Sequence, residues 1–362
     1  MRLGGAACVM IGLVACADDA PRNSTSIENV MGMIDASVAL DATTPALDAR
    51  VSAPGLACPA VWDECPSGEP WRVIVDASRF GSGASFTAVA GDLVLVRGGS
   101  APWRVVQVGP DLTPGAPSFV RSVAFPAGAW EARGLARVEA RGSSEREQDT
   151  DGIAVVACGE RCTLLEAALG ASALRATGAE LPVHYQVRGL QAAGEALCVF
   201  GSDVSCFADG RWQRTLDDEV IALALATPRS VALARSGRVF AALLDGPLPR
   251  WSEQAKVEGF SAVAASGRRA WFSSDEAWLE RTDGQDRACA VPDGVAAVLV
   301  ALGGSPSLLT GSGDLLSPRA NGYCRTQQVQ GAVLAASSGP CAGEPRVITS
   351  SQLIGDNRCA LE

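Results

Sequence analysis

Beyond residue 80 the chain repeats one pattern: a short apolar strand, a turn holding Gly or Pro, a second apolar strand, a polar turn, and a third strand leading to Trp or Cys. The units read "FTAVAGDLVLVRGGSAPWRVV", "GLARVEAR" followed after an insertion by "DGIAVVACGERCTLLEA", "GLQAAGEALCVFGSDVSCFADGRWQRT", "VIALALATPRSVALARSGRVFAALLDGPLPRW", "FSAVAASGRRAWFSSDEAWLERTDG", "AAVLVALGGSPSLLTGSGDLLSPRANGYC" and "GAVLAASSGPCAGEPRVITSSQLIGDNRCAL". Turn residues Gly152, Gly194, Pro228, Gly267, Gly304 and Gly343 are separated by 42, 34, 39, 37 and 39 residues. A spacing of about 40 is the length of a four-stranded propeller blade. The pattern therefore predicts an all-β chain and a seven-bladed β-propeller, with an irregular pair of β-sandwiches as the alternative. The first strand of each unit is rich in Ala, Val and Leu, as a strand beside a crowded axis requires. Trp212, Trp251, Cys289 and Cys324 recur late in successive units, where an outer strand buries one anchor between blades. The last unit runs out one strand short, and "WRVIVDAS", from Trp71 to Ser78, is expected to supply that strand and remove an exposed edge.

Composition supports this reading. With 39 Gly and 20 Pro among 362 residues, many turns and short elements are expected. The formal net charge is −10 and Lys256 is the only lysine. No basic cluster is present, so nucleic acid is not an expected partner.

The pattern breaks before residue 58. Met1-Arg2 precedes an apolar stretch from Leu3 to Ala15, which has signal-peptide form and is too short to span a bilayer. Its end, Leu13-Val14-Ala15-Cys16, resembles the lipobox of bacterial lipoproteins. That resemblance covers residues 1–16 and implies a signal peptide over 1–15, lipidation of Cys16, and a place in the bacterial cell envelope. Ala17 after the cysteine resembles the sorting pattern of outer-membrane lipoproteins. Residues 16–57 are rich in Ala, Asp, Ser, Thr and Pro, and read as a disordered, lipid-anchored linker with a reach of about 35 Å. Residues 58–362 form the repeat domain.

Of the 12 cysteines, Cys8 and Cys16 fall in the leader region and ten remain. An even number in an exported chain favours disulfides. Cys158 and Cys162 flank a three-residue turn, and Cys198 and Cys206 sit symmetrically about Ser202, so both pairs are expected to bridge hairpins. Cys58 with Cys65, Cys341 with Cys359, and Cys289 with Cys324 complete the expected set. Zinc is the competing reading of close cysteines, but finger-type spacing is absent and His184 is the one histidine.

The units also resemble repeats of the regulator of chromosome condensation type, most closely in "GEALCVFGSDVSCF" and "PRSVALARSGRVFA", although that family's Trp-Gly and Gly-Gln-Leu-Gly elements are missing. The resemblance implies a propeller and carries no exchange activity with it.

No catalytic constellation emerges. His184 is the only candidate imidazole base, Asp217-Asp218-Glu219 reads as a solvated turn, and Asp149 to Gly152 is a fragment of a calcium loop without the remaining ligands. Gly98-Gly99 and Gly303-Gly304 read as hairpin turns, and Arg141 to Asp151 as a polar insertion. No catalytic, cofactor or metal residue is expected. The expected function is an envelope scaffold that binds a protein or a glycan, tethered to the membrane through its N-terminal lipid. The alternative is a glycan hydrolase or lyase with carboxylates around the central channel.

Overall fold

Apolar runs without alternation demand a strand covered on both faces, whereas alternating or polar runs suit strands with one open face. The chain uses both kinds in a fixed order. Leu93 to Val96, Ile153 to Ala157 and Val231 to Ala234 are buried throughout, each run being the second strand of its unit. The fourth strands, such as Arg211–Leu216 and Arg250–Lys256, hold no buried residue, each position being exposed or half-buried. The computed structural model describes residues 60–62 and, apart from gaps of which the largest are 109–119 and 139–150, residues 72–355. The leader, Cys16, most of the linker and most of the Arg141–Asp151 insertion lie outside the described residues.

Seven antiparallel sheets follow one another along the chain: blade 1 (85–124), blade 2 (131–180), blade 3 (187–216), blade 4 (220–256), blade 5 (262–290), blade 6 (295–328) and blade 7 (333–355). The first strand of each packs against the first strand of the next, and Val333–Ser338 packs back onto Ser85–Ala90, which makes the arrangement a closed ring. The protein is a seven-bladed β-propeller. Its fourth strand in blade 7 is Arg72–Asp76, antiparallel to Gln352–Gly355 with Val73 opposite Ile354 and Asp76 opposite Gln352. The segment "WRVIVDAS" thus closes the ring as its pattern predicts. Asp76 then accepts from the Ser78 amide at 2.9 Å and caps the short 3-10 helix Ala77–Phe80 that leads into blade 1. Blade 6 carries a fifth strand, Ala60–Trp62, parallel to Gly322–Gln328. Three residues are too few to show a period, so the sequence gives no warning of it.

The ring has no single core. Its described buried clusters lie one at each of the seven blade interfaces, from Leu95 and Trp103 against Ile153 and Leu165 between blades 1 and 2, to Val75 and Leu353 against Phe86 and Val94 at the closing interface. The recurrent anchors work across these seams. Trp212 donates its indole N–H to the Ala179 carbonyl of blade 2, and Trp251 donates to Thr215 Oγ1 of blade 3 at 3.1 Å. The structure bonds Cys158 to Cys162 and Cys198 to Cys206, the latter as a directly opposed pair in adjacent strands. Cys324 is disulfide-bonded and fully buried. Its bond, like the expected pairings of Cys58, Cys65, Cys289, Cys341 and Cys359, involves side chains outside the described residues.

Candidate functional site

In a four-stranded antiparallel blade, two kinds of connection emerge on the same face: the turn between strands two and three, and the passage from the outer strand to the next blade. This is the upper face. It holds the disulfide-closed turn at Cys158–Cys162, the His184 and Tyr185 passage, Asp217 to Glu219, and the 125–130 loop.

The inner strands share a device close to this face. In six of seven blades the register with the second strand skips one residue near the strand's start: Thr87, Arg133, Arg188, Ile221, Ala296 and Leu334. Blade 5 pairs without interruption. A β-bulge of this kind frees one residue from the ladder and re-aims its side chain. An inner strand is flanked by its own blade and by both neighbouring inner strands, so the open direction left is the axis. Leu334 is accordingly 50% exposed, and the side chains of Arg133 and Arg188 are 48% and 36% exposed. The other described positions are half-buried: Thr87 donates its hydroxyl to the Leu95 carbonyl of its own blade, and Ile221 packs on the cluster between blades 4 and 5.

An ionic fan borders that mouth on the side of blades 3 and 4. Glu219 Oε1 receives Arg188 at 3.2 Å and Arg235 at 2.8 Å. Arg238 bridges Asp218 at 2.9 Å and Glu253 at 2.6 Å while lying over the Phe240 ring. Arg214 joins Asp217 and Asp203. The hydrogen bond from Arg238 holds the Glu253 carboxyl below its ordinary range, and Glu253 raises the guanidinium in return. Beneath the fan, Tyr185 donates to the Asp203 carbonyl at 2.7 Å. Burial, and then the Asp203 charge, raise its phenol far above the usual value. The run Asp217-Asp218-Glu219, expected to be merely solvated, is thus held by four arginines. Sequence gave no signal of this because the partners stand up to about thirty residues away. Exposed pairs of this sort contribute about 0–1 kcal/mol each, so the fan shapes a surface more than it stabilises the ring.

The other candidates take structural places. His184 is in an exposed left-handed turn with φ of 70°. Asp151, the described end of the calcium-loop fragment, forms an ion pair with Arg137 at the lower face. Among the described residues no group of three His, Cys, Asp or Glu is placed to hold a metal ion.

Two hollows are lined entirely by described residues. One, of about 340 Å³ on blade 4, has charged and polar walls that include Arg229, Asp245, Arg250 and Gln254 around exposed Leu243. The other, of about 230 Å³, is on the upper face between blades 1 and 2 and is walled by Pro102, Trp103, Phe125, Pro126 and Trp130.

No family model matches the chain, and no curated protein sequence matches it. Solved structures do. The chain resembles YCF48 bound to a D1 peptide, with a TM-score of 0.56 and 10% identity over 81% of this chain and 97% of that one. It also resembles the WD40 β-propeller domain of Doa1, with a TM-score of 0.53 and 9% identity over 78% and 96%. At such identities the likeness is one of fold: the ring itself.

Proposed function

We propose that the protein is a lipid-anchored component of the bacterial cell envelope whose propeller is a non-catalytic, protein-binding scaffold, with the upper mouth as its binding face. The observation that carries the reading is the ring of bulges. Six blades depart from regular pairing at one equivalent position near the upper face, and at three of these positions the skipped residue, Arg133, Arg188 or Leu334, keeps an exposed side chain. The rival, a glycan hydrolase or lyase, needs two carboxylates facing each other across the channel. Glu131 is the one carboxylate in the seven inner strands, and Arg133 holds it at 2.9 Å. YCF48, which shares the fold, was solved with a peptide bound. The resemblance to regulator of chromosome condensation repeats bears on the ring alone.

Anchoring rests on the Leu-Val-Ala-Cys16 pattern. A multiply acylated cysteine gives stable membrane attachment, and the linker lets the upper face search the nearby surface. The test is chemical crosslinking of the full-length tagged protein in its native envelope, beside a Cys16→Ser control. The expected result is a protein adduct from the membrane fraction, with the control protein released to the soluble envelope fraction. Unchanged fractionation removes the anchor, and recovery of glycan fragments alone revives the hydrolase.

A further inference from the structure

We propose that the hollow between blades 1 and 2 is an apolar side-chain subsite for an extended acidic peptide, taking one bulky aliphatic or prolyl residue with a neighbouring carboxylate held by Arg97. The proposal rests on reading the upper face as peptide-binding and adds the chemistry of what is bound there.

The hollow is built, not incidental. Its floor and one wall belong to the core: Trp103 is 8% exposed and packs in the buried cluster between blades 1 and 2, with Phe125 tilted against it at 6.4 Å between ring centroids. Trp130 forms the opposite wall, fixed by donating its indole N–H to the Pro126 carbonyl at 3.1 Å. The turn after Arg97 is also locked. A Cβ on Gly98 would stand 2.5 Å from the Gly83 carbonyl oxygen, and one on Gly99 would overlap that of Phe80, while both residues have positive φ. Glycine is required at each, and the close approach pins the Arg97–Trp103 turn to the preceding segment. Two prolines stiffen the rest of the rim. Rigid aromatic and prolyl walls lose little entropy when a ligand arrives.

The lining decides the class of ligand. Apart from the indoles it has no polar side chain, consisting of Trp, Phe, Pro, Ala and Gly, and the Trp130 indole is already committed. A sugar ring stacked on an aromatic wall would need several side-chain donors and acceptors for its hydroxyls, and the lining has no side-chain acceptor and no donor beyond the indoles. An apolar side chain needs only the walls. Its volume suits a single residue rather than a helix face.

Charge adds the second half. Arg97 is exposed, lies over the Trp103 ring at 5.7 Å, and makes no ion pair among the described residues. What sets it apart is position: it stands on the ring of Trp103, which lines the hollow, in a chain with 40 acidic against 30 basic side chains, so that an anionic group beside the hollow meets a guanidinium there. Stacking on the indole keeps the guanidinium at the rim, ready to take a carboxylate. The loop 125–130 runs directly into the inner strand carrying Arg133, so a peptide seated here continues toward the channel mouth.

The test uses the mature full-length chain with its eight tryptophans replaced by 5-fluorotryptophan, the Trp103 and Trp130 signals being assigned by Trp→Phe variants. The probes are the peptides acetyl-Ala-Ala-Xaa-Asp-Glu-Ala-amide with Xaa as Leu, Pro or Ser, the Leu peptide with Lys-Lys in place of Asp-Glu, and a tetramer of N-acetylglucosamine. The Leu and Pro peptides are expected to shift the Trp103 and Trp130 fluorine signals. Ser at Xaa is expected to weaken binding by about tenfold or more, the affinity equivalent of one buried aliphatic side chain. The Lys-Lys peptide is expected to bind more weakly still, and Arg97→Ala to lower affinity by about fivefold and flatten its salt dependence. Ala127→Phe, which fills the hollow from an exposed position, is expected to abolish the response while leaving thermal unfolding unchanged. Peptides that bind with both tryptophan signals unmoved overturn the subsite but leave the peptide-binding face standing. A response to the sugar alone overturns the peptide assignment, and no response to any peptide overturns both.

Discussion

Arg137 shows how much a single residue does in this ring. It stands on the inner strand of blade 2, with its side chain 6% exposed, and reaches Asp92 of blade 1 at 2.6 Å and Asp151 at 2.7 Å. Gln107 donates to the second oxygen of Asp92 at 3.0 Å. A buried pair of this kind adds little over a well-packed apolar contact, yet removing one partner strands a buried charge and costs about 3–5 kcal/mol. Arg137→Met keeps most of the side chain's volume while removing its charge. It is expected to destabilise the protein by about 3 kcal/mol or more by this reasoning, measured as a lowered midpoint in urea with unchanged slope. Asp92→Asn, which leaves Arg137 its bond to Asp151, is expected to cost less. The sequence carried Arg137 inside an otherwise apolar strand, "GLARV", and a charge at a buried strand position is readable as a sign that a partner exists. Which carboxylate answers it was not readable, since Asp92 is 45 residues away.

At the scale of the element, the hairpin disulfides were legible because their geometry is local. Cys158 and Cys162 had to face each other across any tight turn, and Cys198 and Cys206 across any hairpin centred on Ser202. Burial distinguishes them. Cys198 and Cys206 are fully buried in the interface between blades 3 and 4, whereas Cys158 and Cys162 are half-buried at a turn on the upper face. A water-soluble reductant under native conditions is expected to open the Cys158–Cys162 bond and spare the other, and stepwise alkylation with peptide mapping reads the order. Simultaneous opening, or the reverse order, contradicts the placement. Loss of the inner bond is expected to cost about 2.5 kcal/mol from loop entropy alone, and loss of the outer one about 2 kcal/mol. The bulges, by contrast, were invisible in sequence. A bulged Thr87 or Leu334 has the composition of an ordinary strand residue, and its displacement appears only in the register between two strands.

For the whole molecule, the closure was the most informative feature that the sequence held. An incomplete final unit together with an isolated strand before the first one predicts a blade assembled from both ends of the domain, and Arg72–Asp76 beside Gln352–Gly355 is that blade. Val75, Ala77 and Phe80 bury themselves in the closing interface with Leu353 and Ile348, so the ring is sealed by side-chain packing as well as by hydrogen bonds. The ring then fixes what the surface is able to do. Seven blades bring the upper ends of inner strands spread over some 250 positions around one axis, Thr87, Arg188, Ile221 and Leu334 standing at equivalent places in four of them. The sequence could locate the blades but not the mouth, because the convergence is a property of closure.

The most direct test of the account is a map of contact points made with a photo-crosslinking amino acid placed singly at Thr87, Ile221 and Leu334 around the upper mouth, and at Glu195, Asp209 and Leu243 toward the lower face, in the full-length protein within its native envelope. The account predicts protein adducts of one common mass from the upper positions and none from the lower ones. Adducts confined to the lower positions, or none from either set, would contradict it.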